Sequence, residues 1–428
     1  MSPGGRWDAR IDLVSQRPVP SHSGLPTVTM IGGGQLARMT HQSAIALGQC
    51  LRVLAGSPSE PAAAVCANVV LGSHNDLDDL LRAADGAVAL TFDHEGVPLE
   101  HLRELESRGV AVRPPSQALQ YAQDKLLMRR RLAELGLPVP DFVDLGGDAD
   151  VAREALIAFG EAHDWQIVVK AVRGGYDGRG VWLIDGDADA ALAVFDGAAG
   201  SAEGTAVLMA EQKVSMAREL SAMVARSPHG QGAAWPVVET VQRAGQCAVV
   251  LAPAPGLDAE VAQCAQQMAL RLADELGVVG NMAMELFETT DGELVVNELA
   301  MRPHNSGHWT MDGCVTSQFE QHLRAVLDYP LGDTSPSAEI TVMANVLGAQ
   351  EVPAMSMDER LHHLMARMPD VKVHLYGKDE RPDRKVGHLN IVGRPGQTID
   401  DVRERAERAA HWMSHGEWTD GWDLHADE

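Results

Sequence analysis

An Asp-Gly pair at 291–292 separates two strand-like runs, Glu285-Leu286-Phe287-Glu288-Thr289-Thr290 before it and Glu293-Leu294-Val295-Val296-Asn297-Glu298 after it. Asp-Gly between such runs is a strong short-range hairpin signal, so the stretch is committed to two antiparallel strands. In an even-membered turn, positions with the same sum oppose each other, and Glu285 then faces Glu298. Directly opposed side chains have Cβ atoms roughly 5 Å apart, where like charges destabilise the pair. A cation resolves the conflict. Two carboxylates beside Asn297 suit Mg²⁺, with Mn²⁺ as the alternative, because such ions take one or two carboxylates plus the phosphates of a substrate. Glutamates on a hairpin are more often simply solvated. The run that follows, Arg302-Pro303-His304-Asn305-Ser306-Gly307-His308, shifts the balance towards a site by placing anion-binding and proton-handling groups beside a glycine.

The chain has 428 residues, enough for two or three domains, and 45% hydrophobic with 22% charged residues is ordinary globular composition. A formal charge of −25 repels polyanions, which argues against nucleic acid or an anionic membrane as partner and requires any phosphate to be held by a local basic cluster. Five scattered cysteines, Cys50, Cys66, Cys247, Cys264 and Cys314, form no Cys-x-x-Cys pair and suit a reducing cytoplasm. Residues 1–26 read as a loose extension without a signal-length apolar core, and no segment reaches the ~20 apolar residues of a membrane span.

Thr27 to Ile31 reads as a strand, Gly32-Gly33-Gly34 as a turn, Gln35 to Leu47 as a helix and Leu51 to Ala55 as a second strand. This βαβ opening puts free N–H groups at a helix amino terminus, which favours an anion. A nicotinamide fingerprint is incomplete: Ala37 stands at the third glycine, and Ala55-Gly56-Ser57 replaces the acidic residue at the end of the second strand. Alternation continues to Val110–Val112, consistent with a small doubly wound sheet. Helices are expected from Pro114-Pro115-Ser116 to Tyr121 and from Asp124 to Leu135.

Gln166 to Ala171 and Val181 to Ile184 read as strands around a glycine loop, residues 173–180. Strand, loop, strand is a phosphate-covering hairpin; a P-loop needs Gly-Lys-Ser/Thr opening a helix. Lys170 lies in an apolar strand, and a buried ammonium needs a partner. Ala206 to Ala210 leads into Glu211-Gln212-Lys213-Val214, whose backbone suits an adenine edge, and Glu219 suits ribose hydroxyls. Further strands are expected at Ile340–Leu347, Val371–Tyr376 and Val386–Val392, with a helix at Ile399–Trp412 and an acidic tail beyond Gly416.

The ordered set Lys125, Lys170, the 174–180 loop, Glu211 to Val214, Glu219, Glu285 and Asn297-Glu298 resembles the ATP-grasp superfamily. Within it the chain looks like the 5-(carboxyamino)imidazole ribonucleotide synthases, the ATPase component of phosphoribosylaminoimidazole carboxylase in purine biosynthesis. Four stretches carry the likeness: residues 32–39, 174–180, 297–308, and Tyr376-Gly377-Lys378 with Arg384-Lys385-Val386-Gly387-His388. The resemblance implies an ATP-grasp fold of mixed α/β and α+β class, with an amino-terminal doubly wound, Rossmann-like domain at 27–122, the ATP-grasp domain at 123–335 and a small carboxy-terminal domain with its tail at 336–428.

It implies ATP as co-substrate, bound by Lys125, Lys170, Gly175, Gly178, Arg179, Gly180, Glu211, Gln212, Lys213, Val214, Glu219, Asn297 and Glu298, with metal on Glu285 and Glu298. Tyr176, Asp177 and Arg179 are expected at the aminoimidazole, Gln35, Leu36 and Glu95 near its ribose, and Lys378, Arg381, Arg384 and Lys385 on its 5′-phosphate. Arg302 and His304 are expected to hold bicarbonate and carboxyphosphate, with Tyr176 and Asp177 in catalysis. A cytoplasmic homodimer with transient contact to the next mutase is implied as well. Met301, where relatives usually have proline, Asp93 in place of glutamate and Gln242 in place of a nucleotide-proximal histidine depart from the pattern. The rivals are another ATP-grasp carboxylate–amine ligase, such as a formate-dependent nucleotide transformylase, a non-catalytic nucleotide-binding module and, weakest, a nicotinamide oxidoreductase.

Overall fold

The computed structural model describes residues 24–174, 180–199 and 207–422. Three sheets organise it. The first is parallel, in the order Val69–Leu71, Cys50–Ala55, Thr27–Ile31, Ala89–Phe92. Its central strands are buried on both faces, as parallel strands covered by helices are. The expected strand at Val110–Val112 is reduced to one bridge, Leu90 to Val112.

A second sheet, of four antiparallel strands, runs Phe142–Asp144, Leu208–Gln212, Gln166–Ala171, Val181–Asp185. Alternation along Gln166–Ala171 sends Ile167, Val169 and Ala171 into the core beneath the sheet and leaves Lys170 on the other face.

The third sheet has nine antiparallel strands, ordered Leu294–Ala300, Gly280–Thr289, Met216–Arg226, Val238–Arg243, Gln246–Ala252, Thr341–Leu347, Lys385–Val392, Lys372–Leu375, with Gly232–Ala234 added beside Met216–Arg226. The carboxy-terminal strands therefore do not form a sheet of their own. Val249 pairs with Ala344 and Leu251 with Val342, so one hydrogen-bond ladder runs from the carboxylate hairpin to the carboxy-terminal basic loop. On one face Leu220, Ala222, Met284 and Leu286 enter a core shared with the helices of the first domain. Ser221 and Glu285 occupy the opposite face.

Helix Ile399–His415 begins in a Thr398–Asp401 capping box and ends on the left-handed Gly416. The residues that follow are docked as far as Trp422: Trp418 stacks on Trp412 at 4.5 Å, and the Arg367 guanidinium lies over the rings of Trp418 and Trp422.

Candidate active site

The carboxylate hairpin reaches its expected pairing by an unexpected route. Glu285 does oppose Glu298, yet nearer the turn Phe287 faces Val295 and Glu288 faces Leu294, a register displaced by one. The loop is odd-membered: Gly292 N–H donates to the Thr289 carbonyl with φ +82, and Thr289 N–H donates to the Glu293 carbonyl. This is the three-residue turn that places glycine in the left-handed region. A bulge then inserts Asn297 on the return strand and restores the 285–298 pairing. The hairpin therefore aims two carboxylates and a carboxamide into one cleft.

The Glu285 side chain keeps 28% of its surface open to the cleft. Burial, then the like charges of Glu298 and Glu219, push its pKa from the ordinary 4.5 up to about 8. Glu298 is held by Lys125 Nζ at 2.5 Å. Two opposed carboxylates, one kept protonated near neutrality because its charge is not balanced, form a donor set that fits a divalent cation. They supply two carboxylates and leave the remaining positions to phosphate and water, as Mg²⁺ prefers.

Lys170 is buried, and its Nζ lies 2.6 Å from Glu211 Oε2 and 3.5 Å from Asn297 Oδ1. Glu211 is only 2% exposed. Its side chain is a counter-ion to Lys170, so within the segment 211–214 expected at adenine this carboxylate is engaged by the protein itself. The N–H groups of Gln212 and Lys213 donate to the carbonyls of Asp141 and Gln166, so they complete the sheet edge and are not available to a purine. Glu219 lies on the site face opposite Phe287, raised by burial while Gln242 hydrogen-bonds to it. Gln242 thus orients this carboxylate.

Arg302 Nε meets Glu95 Oε2 at 2.7 Å, joining the expected bicarbonate and ribose residues in one pair. Burial opposes the guanidinium charge, but Glu95 more than offsets it and keeps Arg302 firmly protonated. His304 Nε2 is 3.3 Å from Glu285 Oε1, and its Nδ1 is 2.8 Å from Ser306 Oγ, which in turn meets Ser221 Oγ at 2.8 Å. Burial and the Arg302 charge pull His304 down to about 3, so it is a neutral imidazole at physiological pH. Arg302 can therefore offer charge to an oxyanion, and neutral His304 can offer only hydrogen bonds. Gln318 fixes the segment: its Oε1 accepts from His304 N and its Nε2 donates to the His304 carbonyl, both at 2.8 Å.

At the far end of the cleft Lys378 Nζ donates to Gln35 Oε1, joining the amino-terminal glycine turn to the carboxy-terminal basic loop across 343 residues. Arg384 hydrogen-bonds the Asp379 carbonyl, and Arg381 is exposed, 3.9 Å from Asp379. The Leu36 side chain is 6% exposed and packs in a core with first-domain strands, so its backbone is the part that can border a ligand. Tyr176, Asp177, Arg179, Gly175 and Gly178 lie outside the described residues, whereas Gly180 closes the hairpin through its carbonyl to Ala171 N.

Asp93, in the sequence only a departure from the usual glutamate, has a structural role. Its two oxygens accept from Gly34 N at 2.6 Å and Ala37 N at 3.0 Å, so the helix terminus read as an anion site is already filled by the protein's own carboxylate. A Cβ at Gly32 or Gly34 would run into the Asp93 side chain, which is why the turn is glycine-rich. Arg129 was missed, although Lys125 and Arg129 share a helix face at i, i+4. Met301, the departure from proline, is fully buried in the core.

Known proteins match this arrangement along its length. Residues 25–123 match the ribonucleotide synthetase preATP-grasp domain, 130–319 the ATP-grasp domain and 341–405 the phosphoribosylaminoimidazole carboxylase C-terminal domain. The N5-carboxyaminoimidazole ribonucleotide synthase of Mycobacterium tuberculosis is 61% identical over 411 residues, covering 96% of this chain and 93% of its own length. That of Corynebacterium ammoniagenes is 50% identical over 408 residues, covering 93% and 94%. The chain belongs to the N5-carboxyaminoimidazole ribonucleotide synthase family. A crystal structure of the Aspergillus clavatus enzyme in complex with ADP and 5-aminoimidazole ribonucleotide superposes with a TM-score of 0.80 at 27% identity, covering 91% of this chain and 98% of that one. Family membership removes the nicotinamide and transformylase rivals, and among the described residues no helix is long and apolar enough to cross a membrane.

Proposed function

We infer that this chain uses ATP and bicarbonate to carboxylate the exocyclic amine of 5-aminoimidazole ribonucleotide, giving N5-carboxyaminoimidazole ribonucleotide, ADP and phosphate. The observation that carries the reading is the convergence on one cleft of the Glu285–Glu298 pair, Lys125, Lys170 and the Arg302–Glu95 pair. It stands beside a relative solved with ADP and the aminoimidazole nucleotide.

Bicarbonate is a weak electrophile. A bicarbonate oxygen attacks the γ-phosphorus of ATP, the bond to ADP breaks, and carboxyphosphate results. Lys170 offers an ammonium to the phosphates, and Arg302, charged and fixed by Glu95, holds the bicarbonate oxygens while neutral His304 contributes hydrogen bonds. Glu285 and Glu298 would hold Mg²⁺, which when bound would neutralise phosphate charge. Carboxyphosphate then splits to CO₂ and phosphate, and the amine nitrogen bonds to the CO₂ carbon as an N–H proton leaves. We assign that proton to Asp177 and assistance in the splitting to Tyr176, with the 174–180 loop as the cover that excludes water. Lys378 and Gln35 at one end of the cleft are assigned to the substrate's 5′-phosphate and ribose, with Lys385 and Arg384 beside them. For adenine the assigned edge is the Lys213 carbonyl and the backbone of Val214.

Cytoplasmic location, a homodimer and transient contact with the next mutase complete the reading. The test is ADP release with bicarbonate, with and without aminoimidazole ribonucleotide, alongside transfer of labelled bicarbonate carbon into the nucleotide. Coupled, nucleotide-dependent release is expected; ADP release indifferent to the nucleotide would overturn the reading. Asp177→Ala retaining the parent rate would remove Asp177 from proton transfer.

A further inference from the structure

Arg129 has no role in the chemistry above, yet its side chain is 1% exposed, among the most deeply buried in the molecule. A guanidinium is buried at high cost unless it is paired and hydrogen-bonded. Its partner is Glu211: Nε lies 2.7 Å from Oε1 and Nη2 lies 3.2 Å from Oε2, a two-bond fork. The same carboxylate takes Lys170 Nζ at 2.6 Å through Oε2. Two cations and one anion thus form a buried triad carrying one surplus positive charge. The third guanidinium nitrogen, Nη1, is buried with no hydrogen-bond partner among the described residues, so Glu211 is where Arg129 spends its bonds.

Without Arg129, Lys170 and Glu211 would make a closed, neutral pair, and an incoming phosphate would compete with Glu211 for the ammonium. A fork from arginine is geometrically specific and about twice as strong as neutral hydrogen bonds, so it claims the carboxylate first. The helix Lys125–Glu134 makes this a built arrangement. Lys125 and Arg129 stand one turn apart on one face, the first on Glu298 and the second on Glu211. One helix therefore supplies counter-charges to both Glu298 and Glu211.

We propose that Arg129 is a positioning residue for the nucleotide phosphates: by holding Glu211 in a fork, it leaves the surplus positive charge of the triad on Lys170. The proposal rests on the reading of Lys170 as a phosphate ligand.

The experiment is ADP affinity of the full chain by calorimetry at fixed Mg²⁺, with KM values for ATP and for the aminoimidazole nucleotide. Arg129→Met should weaken ADP binding about tenfold or more and raise the KM for ATP, leaving the KM for the aminoimidazole nucleotide unmoved. Arg129→Lys, which keeps charge but not the fork, should fall between. The deciding variant is Arg129→Met with Glu211→Gln, which removes the charge that would capture Lys170; most of the lost ADP affinity should return. A merely structural Arg129 predicts fewer active molecules, unchanged affinity in those that fold and no recovery in the double variant. A double variant binding ADP no better than the single one overturns the proposal, as does an Arg129→Met protein that binds ADP like the parent. Where Arg129→Met does not fold, Arg129→Lys with and without Glu211→Gln makes the same comparison. A parent protein that binds no ADP would defeat the ATP reading itself.

Discussion

The turn at 32–37 and the hairpin at 285–298 are alike as sequence, each a glycine-punctuated corner beside charged residues, and the fold treats them in opposite ways. At the first, the free N–H groups of the helix terminus invite an anion, and the protein answers with its own Asp93. At the second, two carboxylates are brought face to face with Lys125 paired only to Glu298, and burial with the facing like charges pushes Glu285 to about 8. A polar demand met internally builds structure. A demand left open marks where a ligand belongs.

The largest effect expected from this contrast is at the open corner. Glu298→Gln should lower Mg·ATP turnover by about 10²-fold or more, the scale of losing one preorganised electrostatic group, and undiminished ADP release would remove Glu298 from the site. Next is Arg302→Lys, which keeps the charge but loses the planar guanidinium and its Nε hydrogen bond to Glu95. It should reduce kcat/KM for bicarbonate by about tenfold while the KM for ATP holds. At the closed corner, Asp93→Ala should cost about 1–2 kcal/mol of stability in chemical denaturation, as loss of a helix cap does. If Asp93→Ala instead abolished turnover with unchanged stability, the two corners would not differ as described. The smallest effect is at exposed Arg381, where Arg381→Ala should change the KM for the aminoimidazole nucleotide by less than about threefold, against a larger rise for Lys378→Met.

Local pattern in the sequence carried much of this. The strand at Thr27–Ile31 and the strand at Gln166–Ala171 have the expected bounds, because apolar runs closed by glycine leave few alternatives. The Glu285–Glu298 pairing was legible, but its geometry was not: an odd loop and a bulge at Asn297 cancel, and neither leaves a trace in residue type. Contacts between distant segments were legible only through family resemblance. Gln35 reaching Lys378 depends on a sheet continued from Gln246–Ala252 into Thr341–Leu347, which no local periodicity announces. Asp93 is visible in the sequence only as a replaced glutamate, because an aspartate after a strand is ordinary until the helix terminus that it caps is seen. Glu211 was read by its position in a strand-end motif, whereas its burial beside Arg129 and Lys170 decides what its carboxylate does.

Glu285 offers the most direct measurement. Folding raises its pKa, so its contribution to stability is present below the ordinary 4.5 and is lost as pH rises through about 8. A cation must displace the proton that Glu285 holds at neutral pH. Mg²⁺ titrated with ADP at pH 7, in two buffers of different ionisation enthalpy, reads the protons released on binding. If the pair is the metal clamp, the parent releases about one proton per Mg·ADP and Glu285→Gln releases essentially none. Binding without proton release in the parent, or equal release in the variant, would contradict the assignment of this hairpin as the cation site.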